Sequence, residues 1–518
     1  MIAAATRDKP AAALAASARV RARGGLWLDA AALAGLLLLW GLLLAARWDA
    51  LPLQLWDESR NANNALEVAL HGRWLTPTFA GVVDHWNTKP PLLIWCMAAL
   101  MRLGAPPLLA VRAPSLLAAA ACAAGVWAAL RFGARDRLAA LAGAALLLCA
   151  PVFIGVHGAA TGDFDAPESA ALLGYVLCGW AALETRRFVW VALAAVALTL
   201  GVLTKGVAAT LALPGLALYA LCQPRALGAL LRDVRTWAAV AAAAAVAGGY
   251  YLAREAVDPG YLAAVAHNEL GGRFLHVTEQ HQGGPAFYLA QLWTRAQPAA
   301  AAALLAILTL VVGRGPRRRL AAACALALAS LLGVLSISQS KMEWYAVPMV
   351  PLLALLAGLG LSDVAGLAAR YGAVAGAVAR AAVGLVLACA AVAALAWVRG
   401  APARLFAGET GPQYRYAAFL DALARRGGGE PLFVTDGGLF NAAGFSTYNP
   451  MLRFDATLAA RRGRALKVVT PDAALPLGAQ IATCDAGARA TLHDRYVLAP
   501  EVRDQGCTLD RVTATVDE

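Results

Sequence analysis

Eleven apolar runs set the strongest limit on what this chain can fold into. They cover residues 26–46, 113–130, 138–156, 166–183, 188–204, 206–222, 236–253, 286–312, 320–338, 344–361 and 381–398. A bilayer core needs about 20 apolar residues per helical span, and Pro or Gly within such a run is tolerated there. With 60% hydrophobic and 15% charged residues in 518, the chain is too apolar for a soluble protein of this length. An α-helical integral membrane protein with about eleven transmembrane helices is the expected fold.

The net charge of +12 would suit a nucleic-acid partner only if the basic residues gathered on one soluble surface. They alternate instead. Arg131, Arg135 and Arg137, then Arg186 and Arg187, then Arg225, Arg232 and Arg235, then Arg314, Arg317, Arg318 and Arg319, then Arg370 and Arg380 fall in every second loop. The short loops between hold only Lys205 and Lys341. Positive charge in short loops marks the cytoplasmic side, which puts the N-terminus inside and the residues after about 400 outside. Residues 1–25 read as a cytoplasmic tail leading into an uncleaved signal-anchor. Residues 26–398 read as the membrane domain, with external loops at 47–112 and 254–285. In the first of these, Pro91–Leu103 is apolar but too short to span, as suits a helix lying at the interface.

Residues 399–518 change in composition and read as a small periplasmic α/β domain. Leu432–Thr435, Lys467–Thr470 and Arg495–Leu498 are the strand candidates. Gln413–Arg426 has helical spacing, with Tyr416, Phe419, Leu420 and Leu423 on one face, and Gly427-Gly428-Gly429 marks a turn. Seven of the nine cysteines lie in or beside apolar runs as small core residues. Cys484 and Cys507 lie in the polar C-terminal part. An oxidising periplasm would permit a disulfide there, and a free or buried pair is the other reading.

The chemistry-bearing residues gather on the external side. Trp56-Asp57-Glu58 follows the first run, and His85-Trp86-Asn87-Thr88-Lys89-Pro90-Pro91 precedes the short apolar one. Thr161-Gly162-Asp163-Phe164-Asp165 closes the third run, where helix capping is the ordinary use of the acids. Thr204-Lys205-Gly206 and Ser340-Lys341-Met342-Glu343-Trp344-Tyr345 place lysines in tight turns, where snorkelling and aromatic-belt anchoring are the ordinary uses. His267-Asn268-Glu269, Arg273-Phe274 and Glu279-Gln280-His281 lie in the second large loop. The spacing of Glu279, His281 and the more distant His85 matches no specific metal pattern, so no cofactor is required and a divalent metal stays open. Cations can hold a phosphate while a carboxylate takes a proton from an attacking hydroxyl, and a lipid phosphate sits at this depth in the membrane.

In this order the motifs resemble the bacterial aminoarabinose transferases that modify lipid A, and the wider protein mannosyltransferase group. Both are polytopic GT-C glycosyltransferases that use polyprenyl-phosphate sugars. The resemblance spans residues 26–361 and implies roles for individual residues. Asp57, with Glu58 beside it, would be the general base or position the acceptor. Asp163 or Asp165 would orient sugar or acceptor. Lys89, Lys205, Lys341 and Arg273 would hold the donor phosphate, with Tyr345 lining that site. Thr88 stands where those transferases commonly carry an acid, and they usually have thirteen spans, so the substrate need not be shared.

The expected function is thus transfer of a monosaccharide from a polyprenyl-phosphate donor to an envelope acceptor, such as lipid A or another glycan, at the periplasmic face of the bacterial inner membrane. Membrane lipids are the surroundings, and no nucleic acid is involved. A protein O-glycosyltransferase, a lipid-linked sugar flippase or transporter, and a non-catalytic scaffold are the alternatives. A transporter should bind its substrate near the mid-membrane, whereas these groups cluster at one face. The orientation is testable. A cysteine placed at Glu430, in a background lacking the native cysteines, should react with an impermeant thiol reagent in intact cells, and one at Arg318 should not. The reverse labelling would invert the topology.

Overall fold

The computed structural model describes residues 27–42, 52–54, 56–277, 281–407, 415–416, 419–420, 422–423, 431–435, 450–461, 465–504 and 506–516. Seven of its helices are long and apolar enough to cross a bilayer: Pro107–Gly133, Asp165–Thr185, Phe188–Thr210, Val234–Val257, Gly315–Ile337, Glu343–Arg370 and Ala373–Gly400. Phe287–Arg295 and Ala299–Val311, bent by 114°, make an eighth if they form one broken span. The remaining three of the eleven expected runs yield shorter helices. Run 26–46 gives Trp27–Leu42, and run 138–156 gives Arg137–Leu148 before Pro151 starts a separate turn. Run 206–222 is interrupted at Gly206 (φ 61°) and resumes as Leu213–Leu221, with Pro214 in its first turn. Apolar composition reports what lipid or protein can cover. It does not report whether the backbone stays straight through Gly and Pro.

At the centre of the bundle, Asp165–Thr185 packs on Phe188–Lys205 and on Pro107–Ala128, while Val350–Arg370 packs on Arg137–Leu148. The last pair approaches closely through glycine. A Cβ on Gly358 would lie 2.5 Å from the Ala139 carbonyl oxygen, so only a residue without one fits. The arginine-bearing end is tied by ion pairs: Arg131 and Arg137 to Asp29, Arg317 to Asp136 and Asp363, and Arg319 to Glu184.

At the opposite end, the first external loop is folded. It holds the Asp57–His71 helix, a two-stranded hairpin of β1 (Thr78–Phe79) and β2 (Val82–Val83), and the 11-residue Leu92–Arg102 helix, which is too short to cross. Asp57 and Glu58 suit the positive end of the first helix, and Gly72, left-handed at φ 71°, closes it on the Val68 carbonyl. The buried face of this helix is largely polar, so its apolar periodicity is faint. Each polar group finds a partner. Arg60 makes two 2.8 Å bonds to Asp84, Asn64 donates to the Thr78 carbonyl, and Asn61 to the Gly162 carbonyl. Asn63 donates to the Pro450 carbonyl at 2.7 Å, joining this helix to the C-terminal Pro450–Arg461 helix.

Glu58 is the tightest node. Its carboxylate accepts from Arg112 Nε (2.7 Å) and Nη2 (3.0 Å), from the Gly162 N–H (2.9 Å) and from the Gln54 N–H (2.7 Å). Arg112 and Glu58 are each 1% exposed.

The C-terminal part contains a five-stranded sheet of β3 (Leu432–Thr435), β4 (Leu466–Val469), β5 (Gln480–Thr483), β6 (Tyr496–Asp504) and β7 (Cys507–Thr515), in the order β4-β3-β5-β7-β6. The first three strands are parallel, and β7 runs antiparallel to β5 and β6. The three strand candidates fall on β3, β4 and the start of β6. β5 buries Thr483, and β7 buries Thr508 and Asp510, so neither shows a clean apolar alternation. Tyr416, Phe419, Leu420 and Leu423 are helical and buried, as their spacing implied, while 427–429 lie outside the described residues. Cys484 and Cys507 are joined by a disulfide where β5 ends and β7 begins.

A buried carboxylate left without its cation costs more than the pair contributes. Arg112→Ala should therefore lower stability by about 3–5 kcal/mol, read as thermal unfolding in detergent, with Arg112→Lys recovering part of the loss. An unshifted melting curve for Arg112→Ala would show that the pair does not hold this end together.

Candidate active site

Asp57 is the first residue of its helix, and Glu58 fixes how that helix meets the chain reversal at 155–165. In that reversal His157 adopts a left-handed backbone (φ 63°), an arrangement uncommon for a residue with a side chain. The His157 N–H donates to Thr161 Oγ1 at 2.8 Å, and Thr161 donates in turn to Asp163 Oδ2 at 2.5 Å. The imidazole is thereby turned toward three carboxylates. Its Nδ1 lies 3.6 Å from Asp163, 3.9 Å from Asp57 and 3.9 Å from Asp165. Trp344 stacks on a face of the ring, with centroids 4.1 Å apart.

Asp165 carries the site onward. It and Glu168, one helical turn along, accept from Lys205 Nζ at 2.6 and 2.8 Å, and Lys205 lies 4.9 Å from the Tyr345 ring. All three charged groups are buried. Asp57, His157, Asp163, Asp165, Glu168, Lys205, Trp344 and Tyr345 thus form one continuous cluster drawn from four chain segments.

The separations around His157 are too long for hydrogen bonds but suit an ion between the groups. One ligand atom each from Asp57, His157 and Asp163 lies within 4.8 Å of the others. His157 Nδ1 and Asp163 Oδ1 are buried with no hydrogen-bond partner among the described residues. Burial, together with the neighbouring Asp57 and Glu58, outweighs the pull of His157 and pushes Asp163 up to about 7. A divalent cation would reverse that shift and occupy both orphaned atoms, so the donor set fits one. This cluster is not the one expected from the second large loop. His85 bonds Asp258 at 2.8 Å, His281 sits edge-on to Trp344, and Glu279 lies outside the described residues.

The other candidates have varied surroundings. Lys89 Nζ is 3.5 Å from Glu269 and 5.4 Å from the Phe164 ring, close to Asp163 and Asp165 in sequence. Arg273 lies on the Gly272–Leu275 turn, and its side chain is outside the described residues. Lys341 Nζ donates to the Ser336 carbonyl at 2.9 Å and to that of Ser338, closing the end of the Gly315–Ile337 helix. Glu58 spends its carboxylate on Arg112, Gly162 and Gln54 rather than on the cluster. Sequence reasoning missed His157, Arg112 and Glu168. A lone His just before Thr161-Gly162-Asp163, a lone Arg beside an apolar run, and an acid one turn after Asp165 were the available signals.

Residues 88–259, about a third of the chain, match the family of dolichyl-phosphate-mannose-protein mannosyltransferases. No curated protein matches the chain in sequence. The crystal structure of ArnT from Cupriavidus metallidurans bound to undecaprenyl phosphate superimposes with a TM-score of 0.62 at 19% identity, covering 94% of this chain and 98% of that one. Its apo form gives 0.59 at 18% identity, covering 95% and 98%. The chain therefore shares the fold of that ArnT structure. The matched family segment holds Lys89, His157, Asp163, Asp165 and Lys205, while Asp57 is contributed from outside it.

Cation binding separates a metal centre from a purely hydrogen-bonded cluster. Mn²⁺ added to metal-free protein should bind at one tight site by titration calorimetry or electron paramagnetic resonance. His157→Ala and Asp163→Asn should each weaken it by at least about tenfold, that is 1.4 kcal/mol or more. Equal Mn²⁺ affinity in wild type and both variants would dissociate these residues from any ion.

Proposed function

We propose that the protein is a membrane glycosyltransferase that moves a monosaccharide from a polyprenyl-phosphate donor to a lipid or glycan acceptor at the periplasmic face. The observation that carries this reading is the continuous cluster from Asp57 through His157 and Asp165 to Lys205, within the fold of a protein that binds undecaprenyl phosphate. The acceptor hydroxyl attacks the anomeric carbon, the bond from that carbon to the phosphate oxygen breaks, and polyprenyl phosphate leaves. Asp57, one-third exposed and at the rim of the cluster, takes the hydroxyl proton. Lys205, with Tyr345 beside it, and Lys89, with Arg273 on the turn after its partner Glu269, hold the departing phosphate. Both lysines are already paired with carboxylates, so the donor phosphate displaces or shares those partners. Asp163 and Asp165 orient sugar or acceptor. A divalent ion on Asp57, His157 and Asp163 would add positive charge where negative charge develops. Lys341 acts from the end of its helix, by shaping the turn that carries Trp344 and Tyr345.

In this reading runs 26–46, 138–156 and 206–222 complete eleven crossings, each shorter helix being extended by the flanking apolar residues of its run. Residues 1–25 are then cytoplasmic, 26–398 form the membrane domain, and 399–518 form a periplasmic domain. A protein hydroxyl as acceptor is the second reading, favoured by the mannosyltransferase family match.

Asp57→Asn should abolish transfer from a polyprenyl-phosphate sugar, by at least about 10³-fold if the carboxylate is the base, with an unchanged melting temperature. Near-normal turnover would remove Asp57 from the chemistry. Mass spectrometry of envelope lipids and glycoproteins from a deletion strain would show which acceptor loses its sugar.

A further inference from the structure

Around the arginine-bearing end of the Gly315–Ile337 helix lies a cavity of about 510 Å³, with Arg314, Arg318 and Arg319 at its rim and Tyr219, Ala322 and Leu326 on its walls. It shares Gly313 and Arg314 with a cavity of about 580 Å³ that adds Arg370. It shares Gln223 and Arg319 with one of about 530 Å³ that adds Arg186 and Arg225. Two carboxylates line these three spaces, and both are already in ion pairs. Glu184 is held by Arg319 and Asp363 by Arg317. Among the described residues neither Arg314 nor Arg318 has an ion-pair partner. The result is a walled, strongly cationic recess with no acid left to neutralise it.

Its depth and flanks narrow the ligand. Glu184 lies 19 residues along its helix from Asp165, about 28 Å at 1.5 Å per residue, close to the hydrocarbon thickness of a bilayer. The recess is therefore in the headgroup layer opposite the acidic cluster. Beside it, Leu218 and Leu221 are 51% and 66% exposed, and Val311 and Val312 present further apolar surface. A soluble phosphate has no use for those side chains, whereas acyl chains do. We infer that this recess binds an anionic phospholipid, its phosphate bridged by Arg314 and Arg318 and its chains lying along Leu218 and Leu221.

The ordinary alternative is that each arginine snorkels separately to bulk headgroups. Native mass spectrometry of the full-length protein in detergent distinguishes the two. With dioleoylphosphatidylglycerol added, wild type should retain a saturable lipid adduct, and dioleoylphosphatidylcholine should not replace it. The Arg314→Gln/Arg318→Gln double variant should lose at least about tenfold in affinity, with the single variants non-additive. Arg380→Gln, which lies outside the recess, should match wild type. Equal retention of the two lipids by wild type would overturn the inference without recourse to any variant. So would displacement of the lipid by excess inorganic phosphate alone, or a double variant that behaves as Arg380→Gln does.

Discussion

The bond between Glu58 and Arg112 sets the geometry on which the acidic cluster depends. Two fully desolvated charges in a membrane protein are costly unless every lone pair and N–H is used, and here the carboxylate takes four donors. Two come from Arg112 on a membrane helix, one from the Gly162 backbone and one from Gln54 in the segment before its own helix. The pair therefore fixes three segments at once. Asp57 is one residue from Glu58 and Asp163 one residue from Gly162, so both acids inherit their positions from this node. Asp57-Glu58 reads as a catalytic doublet in sequence, yet its two members divide the work between reacting and holding.

Much of the fold was legible because lipid imposes simple rules. Apolar runs and alternating arginines located the helices and the shared face of the acids. Rigid crossings were harder, because Gly206, Pro151 and Pro214 interrupt helices without changing their apolar character. The Asp57–His71 helix was invisible for the opposite reason. Its inward face is polar and satisfied by Asp84, Thr78, Gly162 and Pro450, partners up to 387 residues away in sequence.

The site shows the same division. Asp57, Asp163, Asp165, Lys205 and Tyr345 stood out as ionisable or aromatic groups at the ends of apolar runs, and they do meet. His157 sits among apolar and glycine neighbours and gains its surroundings only through a left-handed backbone and two hydrogen bonds. Lys341 was legible as a lysine in a tight external turn, but its use on helix carbonyls depends on how the chain turns after Ile337.

The Gly315–Ile337 helix begins at the cationic recess and ends at Lys341, three residues before the tryptophan that stacks on His157. Its 23 residues make a rod of about 34 Å. Each degree of tilt about the arginine end moves the far end by roughly 0.6 Å, a simple lever calculation on that length. A bilayer a few ångströms thinner or thicker changes the tilt that such a rod prefers. Any change in the tilt of this rod would therefore alter the spacing between the indole and the acids, because one straight element and a capped end join the two faces.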